Sequence, residues 1–182
     1  MIGELHLILG CMFSGKSSEL IKIRSKYKIL GKSLLAINHT IDTRYGSNKI
    51  ITHDKKEIQC TQISTLMSIV STDNYIYSDV ILIEEAHFFE DLYDFTQYSV
   101  NKMNKIVYIA GLNGDYKQHL IGDIYKLIPM CDTLVKLSAL CVICKDGTPA
   151  HFTKRIDGKE SQIVVGSTDS YIPVCRRHHI DG

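Results

Sequence analysis

The stretch from Gly10 to Ser17, Gly-Cys-Met-Phe-Ser-Gly-Lys-Ser, constrains the fold more than any other part of the chain. It has the Gly-x-x-x-x-Gly-Lys-Ser spacing of a P-loop, with an apolar run over residues 5–9 before it and a helical pattern after it. The glycines let backbone N–H groups turn toward a phosphate, Lys16 brings a positive charge, and the Ser17 hydroxyl is a Mg²⁺ ligand. The motif predicts a bound nucleoside triphosphate.

Strand and helix patterns alternate along the chain. Apolar runs predict strands over residues 33–38, 79–85 and 105–110, and helical patterns cover residues 18–30, 63–70 and 91–103. The first helical pattern places Leu20, Ile23, Tyr27 and Leu30 on one stripe. This alternation predicts an α/β fold with a P-loop NTPase-type parallel sheet and helices on both faces. We predict that residues 1–135 form this nucleotide-binding domain.

Acidic residues follow two of the predicted strands. Glu84 and Glu85 end the run over residues 79–85, and Asp42 to Tyr45 follow the run over residues 33–38. Ligands of parallel sheets bind outside the carboxyl ends of the strands. Because successive side chains of a strand face opposite ways, we expect one glutamate to serve Mg²⁺ and the other to reach a substrate hydroxyl.

The C-terminal part carries two pairs of soft metal ligands. Cys141-x-x-Cys144 and Cys175-x-x-His178 together supply the four ligands of a closed tetrahedral zinc site, so the metal is expected to be structural. His179 is an alternative to His178 as the fourth ligand. We predict that residues 136–182 form a zinc-ribbon domain, whose segment between the ligand pairs makes a lasso over the bound nucleoside.

Composition limits the classes of partner. The chain has 182 residues, with 21 Lys plus Arg against 20 Asp plus Glu and a formal net charge of +1. No basic block indicates a direct nucleic-acid partner, and no apolar run is long enough for a membrane span. The chain begins directly with a strand pattern rather than a leader, so we expect a cytoplasmic protein.

Motifs along nearly the whole chain resemble the zinc-containing thymidine kinases of animals, bacteria and large DNA viruses, poxviruses included. Beside the P-loop, the zinc ligands and the two acidic segments, the matching stretches are Thr52-His53-Asp54, Ile83 to Phe89, Ala110 to Tyr116, Lys136 to Cys141, Thr153-Lys154-Arg155, and Val165-Gly166 to Tyr171.

The resemblance implies transfer of the γ-phosphoryl group of ATP to the 5′-hydroxyl of thymidine, giving dTMP for thymidine salvage and DNA precursor synthesis. It implies Glu85 as the catalytic general base and Ser17 with Glu84 at Mg²⁺. The implied ATP and phosphate residues are Gly10, Cys11, Met12, Phe13, Ser14, Gly15, Lys16, Ser17, Asp42, Thr43, Arg44, Glu84 and His87. The implied thymidine residues are Met12, Phe88, Leu112, Tyr116, Gln162, Ile163, Val164, Val165, Gly166 and Tyr171. The partners implied are thymidine, ATP, dTTP as feedback inhibitor and further copies of the chain in a homotetramer.

Several positions depart from the commonest pattern of that family. This chain has Glu84 where the family most often has Asp, and His87 where it has Gln. It also has Asn113 in place of Asp, Tyr116 in place of Phe, and Cys11 in place of Pro. The longer Glu84 side chain is expected to shift the metal ion or its water shell by about one methylene.

Two other functions compete with a kinase. Ile83-Glu84-Glu85-Ala86-His87 resembles the acid-acid-Ala-His box of helicase-type motors, so a nucleic-acid-stimulated ATPase with a zinc ribbon is the main alternative. The short chain and its neutral net charge count against a motor. In the third interpretation, residues 134–182 are an interaction module on an inactive ATP-binding scaffold.

Overall fold

A computed structural model of the chain describes residues 2–42, 48–51, 56–158 and 169–181. Its centre is a six-stranded sheet in which every strand pair is parallel. In spatial order the strands are β5 (Thr61–Ile63), β2 (Leu34–His39), β6 (Val80–Ile83), β7 (Ile106–Leu112), β1 (Glu4–Gly10) and β8 (Thr133–Leu137). The central strands are continuous apolar runs because both of their faces are covered, as is usual for parallel sheets.

Each face of the sheet packs against its own helices. On one face, Leu20 and Ile23 of α1 (Lys16–Ile29) join a core with Ile8, Val80 and Leu82. The opposite core contains residues of α2 (Asp73–Ile76), α3 (Leu92–Asn101) and the 3-10 turns Leu66–Ile69 and Ile124–Met130. A third 3-10 turn, Ala86–Phe88, follows β6. The predicted α/β fold is therefore confirmed.

The remaining strands form three antiparallel pairs. β3 (Lys49–Ile51) pairs with β4 (Glu57–Gln59), β9 (Ala139–Leu140) with β10 (Pro149–Ala150), and β11 (Phe152–Arg155) with β12 (Tyr171–Val174). The strands β9 to β12 and the helix α4 (Arg176–Ile180) are here called the C-terminal lobe. Its small core consists of Cys141, Ala150, Val174 and Cys175.

Several predicted boundaries differ from the structure. α1 ends at Ile29, and Leu30 is 70% exposed rather than part of the buried stripe. The predicted helix over residues 63–70 is wrong at its start, since Ile63 ends β5 and only a 3-10 turn follows. β8 pairs with β1 as far as Leu137, and the predicted division into two domains at residue 135 stays a prediction. Among the described residues, no helix is long and apolar enough to cross a membrane.

Candidate active site

The phosphate loop connects β1 to α1 at the carboxyl edge of the sheet. Gly15 has φ 85°, a left-handed conformation that favours glycine, directly before the first helical residue. A Cβ at Gly10 would lie 2.4 Å from Ser14 Oγ and 2.9 Å from the Leu137 carbonyl oxygen, so a side chain there does not fit. The buried Lys16 donates from Nζ to the Cys11 carbonyl oxygen at 2.8 Å. The sequence therefore builds a compact loop with its lysine held over it at a helix N-terminus, a setting suited to a phosphate.

Glu84 and Glu85 diverge directly after β6. The Glu84 carboxylate is buried and accepts a hydrogen bond from the Ser17 hydroxyl at 2.5 Å. Glu85 has φ 49°, which is unusual for a residue with a side chain, and its Oε2 lies 3.7 Å from His87 Nδ1. The strand ends at Ile83, so the expected strand alternation is not what separates the two carboxylates. The left-handed backbone conformation at Glu85 changes the direction of the chain. Such conformations concentrate at functional sites.

Asp42 follows the end of β2, the strand that pairs with β6 in the sheet. It is buried, and its Oδ2 accepts a hydrogen bond from Asn38 Nδ2 at 3.0 Å. Burial raises the pKa of the nearby Cys60 thiol to about 11, and the charges of Asp42 and Glu84 add to that rise. Because β2 and β6 are neighbouring parallel strands, Asp42 and Glu84 both follow the carboxyl edge of the sheet. Thr43 and Arg44, predicted to bind ATP, lie outside the described residues, as does the segment from Thr52 to Asp54.

His87 lies close to Glu85 and to the end of β7. Its Nδ1 accepts a hydrogen bond from the Leu112 backbone N–H at 3.3 Å, which requires a neutral ring with the proton on Nε2. A Cβ at Gly122 would lie 2.1 Å from the His87 carbonyl oxygen, so a glycine is needed for this close approach. The contact with Leu112 places His87 next to one residue of the predicted nucleoside walls, and its predicted part in ATP binding stays a prediction.

The residues predicted to contact thymidine come from several segments. The Phe88 ring packs on the rings of His87 at 4.2 Å and His39 at 5.8 Å between centroids. The Met12 N–H donates to Thr153 Oγ1 at 3.0 Å, which ties the phosphate loop to the C-terminal lobe. Tyr116 and Tyr171 are described as well, and both contact Arg155. Gln162, Ile163, Val164, Val165 and Gly166 lie outside the described residues.

Sequence reasoning assigned no site role to Thr153 or Arg155, and it considered His179 only as a zinc ligand. The structure shows that all three contact predicted site residues, since His179 Nε2 lies 3.0 Å from the Tyr116 carbonyl oxygen. The Thr153-Lys154-Arg155 motif matches the family and so marks these residues for attention. It does not reveal which distant side chains they contact.

Cys141, Cys144, Cys175 and His178 form a cluster that could hold a metal ion, with their ligand atoms within 4.8 Å of one another. His178 Nδ1 lies 3.4 to 3.6 Å from the three sulfurs, and Cys144 Sγ lies 3.8 Å from Cys175 Sγ. Zinc bonds of about 2.3 Å to sulfur and about 2.0 Å to nitrogen put the corners of a tetrahedron roughly 3.5–3.8 Å apart. The cluster therefore fits zinc, and His178 rather than His179 is its fourth member.

The thiols of this cluster differ in acidity. Burial opposes ionisation of Cys141, but hydrogen bonds from the backbone of Cys144 and Cys175 outweigh it and lower its pKa to about 6. Burial and the two neighbouring thiols raise the pKa of Cys144 to about 11. A bound divalent cation would hold all of these sulfurs as thiolates at neutral pH.

Comparison with known proteins gives a consistent result. The family profile described as "Thymidine kinase" matches residues 3–179. The chain is 38% identical to the thymidine kinase of fowlpox virus over 178 residues, which cover 96% of each chain. It is 36% identical to the thymidine kinase of vaccinia virus, over 98% of each chain. A thymidine kinase of rice is 37% identical over 99% of this chain and 67% of its own length.

Proposed function

We propose that this chain, which belongs to the thymidine kinase family, phosphorylates thymidine by transferring the γ-phosphoryl group of ATP to the 5′-hydroxyl. The observation that carries the proposal is the divergence of two adjacent carboxylates. Glu84 bonds to the Ser17 hydroxyl of the phosphate loop, and Glu85 turns toward His87 and the predicted nucleoside walls. In this arrangement one acid would face the donor phosphates and the other would face the acceptor.

On the donor side, the backbone N–H groups of the loop and the Lys16 ammonium would bind the β- and γ-phosphates. The Ser17 hydroxyl and the Glu84 carboxylate are hard oxygen ligands that meet at 2.5 Å, so they suit Mg²⁺ and would hold it. When bound, Mg²⁺ supplies positive charge that neutralises the transferring phosphoryl group. Asp42, which is buried and follows the end of β2, would act with Glu84.

On the acceptor side, Glu85 would accept the proton of the 5′-hydroxyl as the oxygen attacks the γ-phosphorus. Glu85 is 9% exposed, so few water molecules compete for its carboxylate. The rings of Phe88, Tyr116 and Tyr171, with Met12 and Leu112, would enclose the planar base, as apolar and aromatic side chains do in most small-molecule sites. Holding the hydroxyl beside the γ-phosphate supplies much of the catalysis in phosphoryl transfer.

Further features of the proposed function follow from the family. dTTP carries both a thymine base and a triphosphate, so it can occupy the nucleoside walls and the phosphate loop together and act as a feedback inhibitor. We also propose thymidine salvage as the role, a homotetramer as the assembly, and a structural zinc in the C-terminal lobe. The fit of the Cys141, Cys144, Cys175 and His178 atoms to a tetrahedron supports the zinc site.

A single assay tests the proposed reaction. The purified protein is given ATP labelled at the γ-phosphate, with thymidine, deoxycytidine or single-stranded DNA in separate reactions. Label transferred to thymidine, with much less transferred to deoxycytidine, supports the proposal. Hydrolysis stimulated by single-stranded DNA without transfer would instead support a helicase-type ATPase, and no turnover of ATP in any reaction would support an inactive scaffold.

A further inference from the structure

Arg155 is a buried cation between two predicted walls of the thymidine site. It ends β11, and its side chain is 3% exposed. The guanidinium carbon lies 4.6 Å from the centroid of the Tyr116 ring and 4.9 Å from that of Tyr171. Nη2 donates a hydrogen bond to the Tyr171 hydroxyl at 2.5 Å, and Nε lies 3.2 Å from Asp157 Oδ1. One side chain therefore contacts both rings and a carboxylate.

These contacts join segments that the backbone connects in different ways. Arg155 and Tyr171 are register partners in the β11–β12 pair, so their proximity follows from the hairpin. Tyr116 belongs to the loop after β7, in which Asp115 Oδ1 accepts hydrogen bonds from the N–H groups of Lys117 and His119 at 2.8 Å. This turn orders the loop internally. The Arg155 guanidinium is a direct link from the Tyr116 ring to the C-terminal lobe.

Burial of a charged side chain is energetically unfavourable. Desolvation of a guanidinium is unfavourable, and apolar residues of similar volume are often as stabilising as a buried ion pair. Arginine differs from an apolar residue because its planar group stacks on aromatic rings and donates hydrogen bonds in fixed directions. The position of Arg155 between Tyr116 and Tyr171 uses both properties, which favours a role in orienting the rings over a role in stability alone.

We propose that Arg155 is a positioning residue that sets the planes of Tyr116 and Tyr171 against the thymidine base. The inference rests on the proposed function, since that assigns the two rings to the nucleoside site. Arg155 acts through the rings and has no part in phosphoryl transfer. Contacts to the base are made in the ground state and in the transition state alike, so their loss raises KM and leaves kcat nearly unchanged.

The test compares Arg155→Met and Arg155→Lys with the wild-type protein in steady-state assays of thymidine and ATP, and in calorimetric titration with thymidine alone. Arg155→Met is expected to raise the KM for thymidine by about tenfold or more, with kcat and the KM for ATP within about threefold. Arg155→Lys keeps the charge beside Asp157 but loses the planar stack, so most of the increase in KM is expected to remain.

Arg176→Met is the matched control. The Arg176 guanidinium lies 4.7 Å from the Phe152 ring in the same lobe, but this exposed residue contacts neither tyrosine ring in the interactions described. The control is expected to leave the KM for thymidine within about twofold of wild type. An equal rise in KM in Arg176→Met would overturn the proposal, because any lost stack in the lobe would then have the same effect.

Other outcomes also separate the proposals. A KM for thymidine within about twofold of wild type in Arg155→Met, or full recovery of wild-type KM in Arg155→Lys, overturns the positioning role. If Arg155→Met fails to fold, Tyr171→Phe removes only the hydroxyl that accepts the Nη2 bond. In that variant, a KM raised about threefold with an unchanged Tm supports the role, and an unchanged KM overturns it. Wild-type protein that transfers no label to thymidine overturns the proposed function itself.

Discussion

The phosphate loop and the C-terminal lobe represent two ways of building half of an active site. The loop is one continuous segment, Gly10 to Ser17, and Lys16 bonds within it to the Cys11 carbonyl oxygen. The lobe brings together Cys141, Cys144, Cys175 and His178 from two distant segments. It meets the loop through the Met12 N–H and Thr153 Oγ1. The loop is thus built from one short segment, whereas the lobe depends on contacts between distant segments and, in our proposal, on a bound zinc ion.

Loss of the metal is expected to have the largest effect. It should disrupt the C-terminal lobe and leave the phosphate loop intact. Cys144→Ser should abolish zinc binding, which elemental analysis measures as the loss of one zinc per chain, because a three-ligand site is incomplete. The C-terminal lobe should then become sensitive to protease and thymidine binding should be lost, while ATP binding is retained. Cys131→Ser, outside the cluster, is the control. A metal-free protein with full activity and unchanged Tm would contradict a structural zinc.

Replacement of Glu85 is expected to have the second largest effect. Glu85→Gln keeps the shape of the side chain but cannot accept a proton, so kcat should fall on the order of 10²-fold or more, with ATP affinity nearly intact. Glu57→Gln serves as the matched control, because Glu57 is an exposed residue of β4 whose carboxylate forms an ion pair with Lys49. Near-normal turnover of Glu85→Gln in the labelled-ATP assay would remove Glu85 from the role of base.

A smaller effect is expected at His87, which lies close to Glu85 and to the end of β7. His87→Leu removes the acceptor of the Leu112 N–H in a buried site and should lower kcat by roughly tenfold. His87→Gln retains an acceptor and a donor, so its kcat should stay within about threefold of wild type. Steady-state kinetics of the two variants decide this. Equal losses in both would show that ring packing on Phe88, rather than hydrogen bonding, is what matters.

The smallest effect is expected on the exposed face of α1, directly after the phosphate loop. Lys22 forms an ion pair with Glu19 at 3.1 Å, and its side chain is 62% exposed. Such pairs add little because solvent screens them, so Lys22→Ala should change Tm by no more than about 2 °C and leave KM for ATP unchanged. A large rise in the KM for ATP would mean that more of α1 than its first turn contributes to the phosphate site. A large change in Tm would mean that this ion pair contributes more to stability than a screened surface pair.

Local patterns predicted the elements that are mostly apolar and mostly buried. The continuous apolar runs of β1, β6 and β7 and the glycine spacing of the loop were sufficient to identify a parallel P-loop sheet. Prediction was poorer where tertiary contacts decide the conformation. Residues 63–70 have a helical pattern, but Ile63 pairs with His39 in the sheet and Asp91 accepts hydrogen bonds from the N–H groups of Leu66 and Met67. These long-range bonds outweigh the local preference for a helix.

The sequence by itself determined the phosphate loop, the four members of the zinc cluster apart from the choice between His178 and His179, and the family. In each case the chemistry demands particular residue types at short, fixed spacings. Only the tertiary structure decided that β6 ends at Ile83 and that a positive φ at Glu85 separates the two acids. Only the tertiary structure placed Arg155 between Tyr116 and Tyr171. Such contacts join residues far apart in the chain, and their geometry depends on packing that no local pattern encodes.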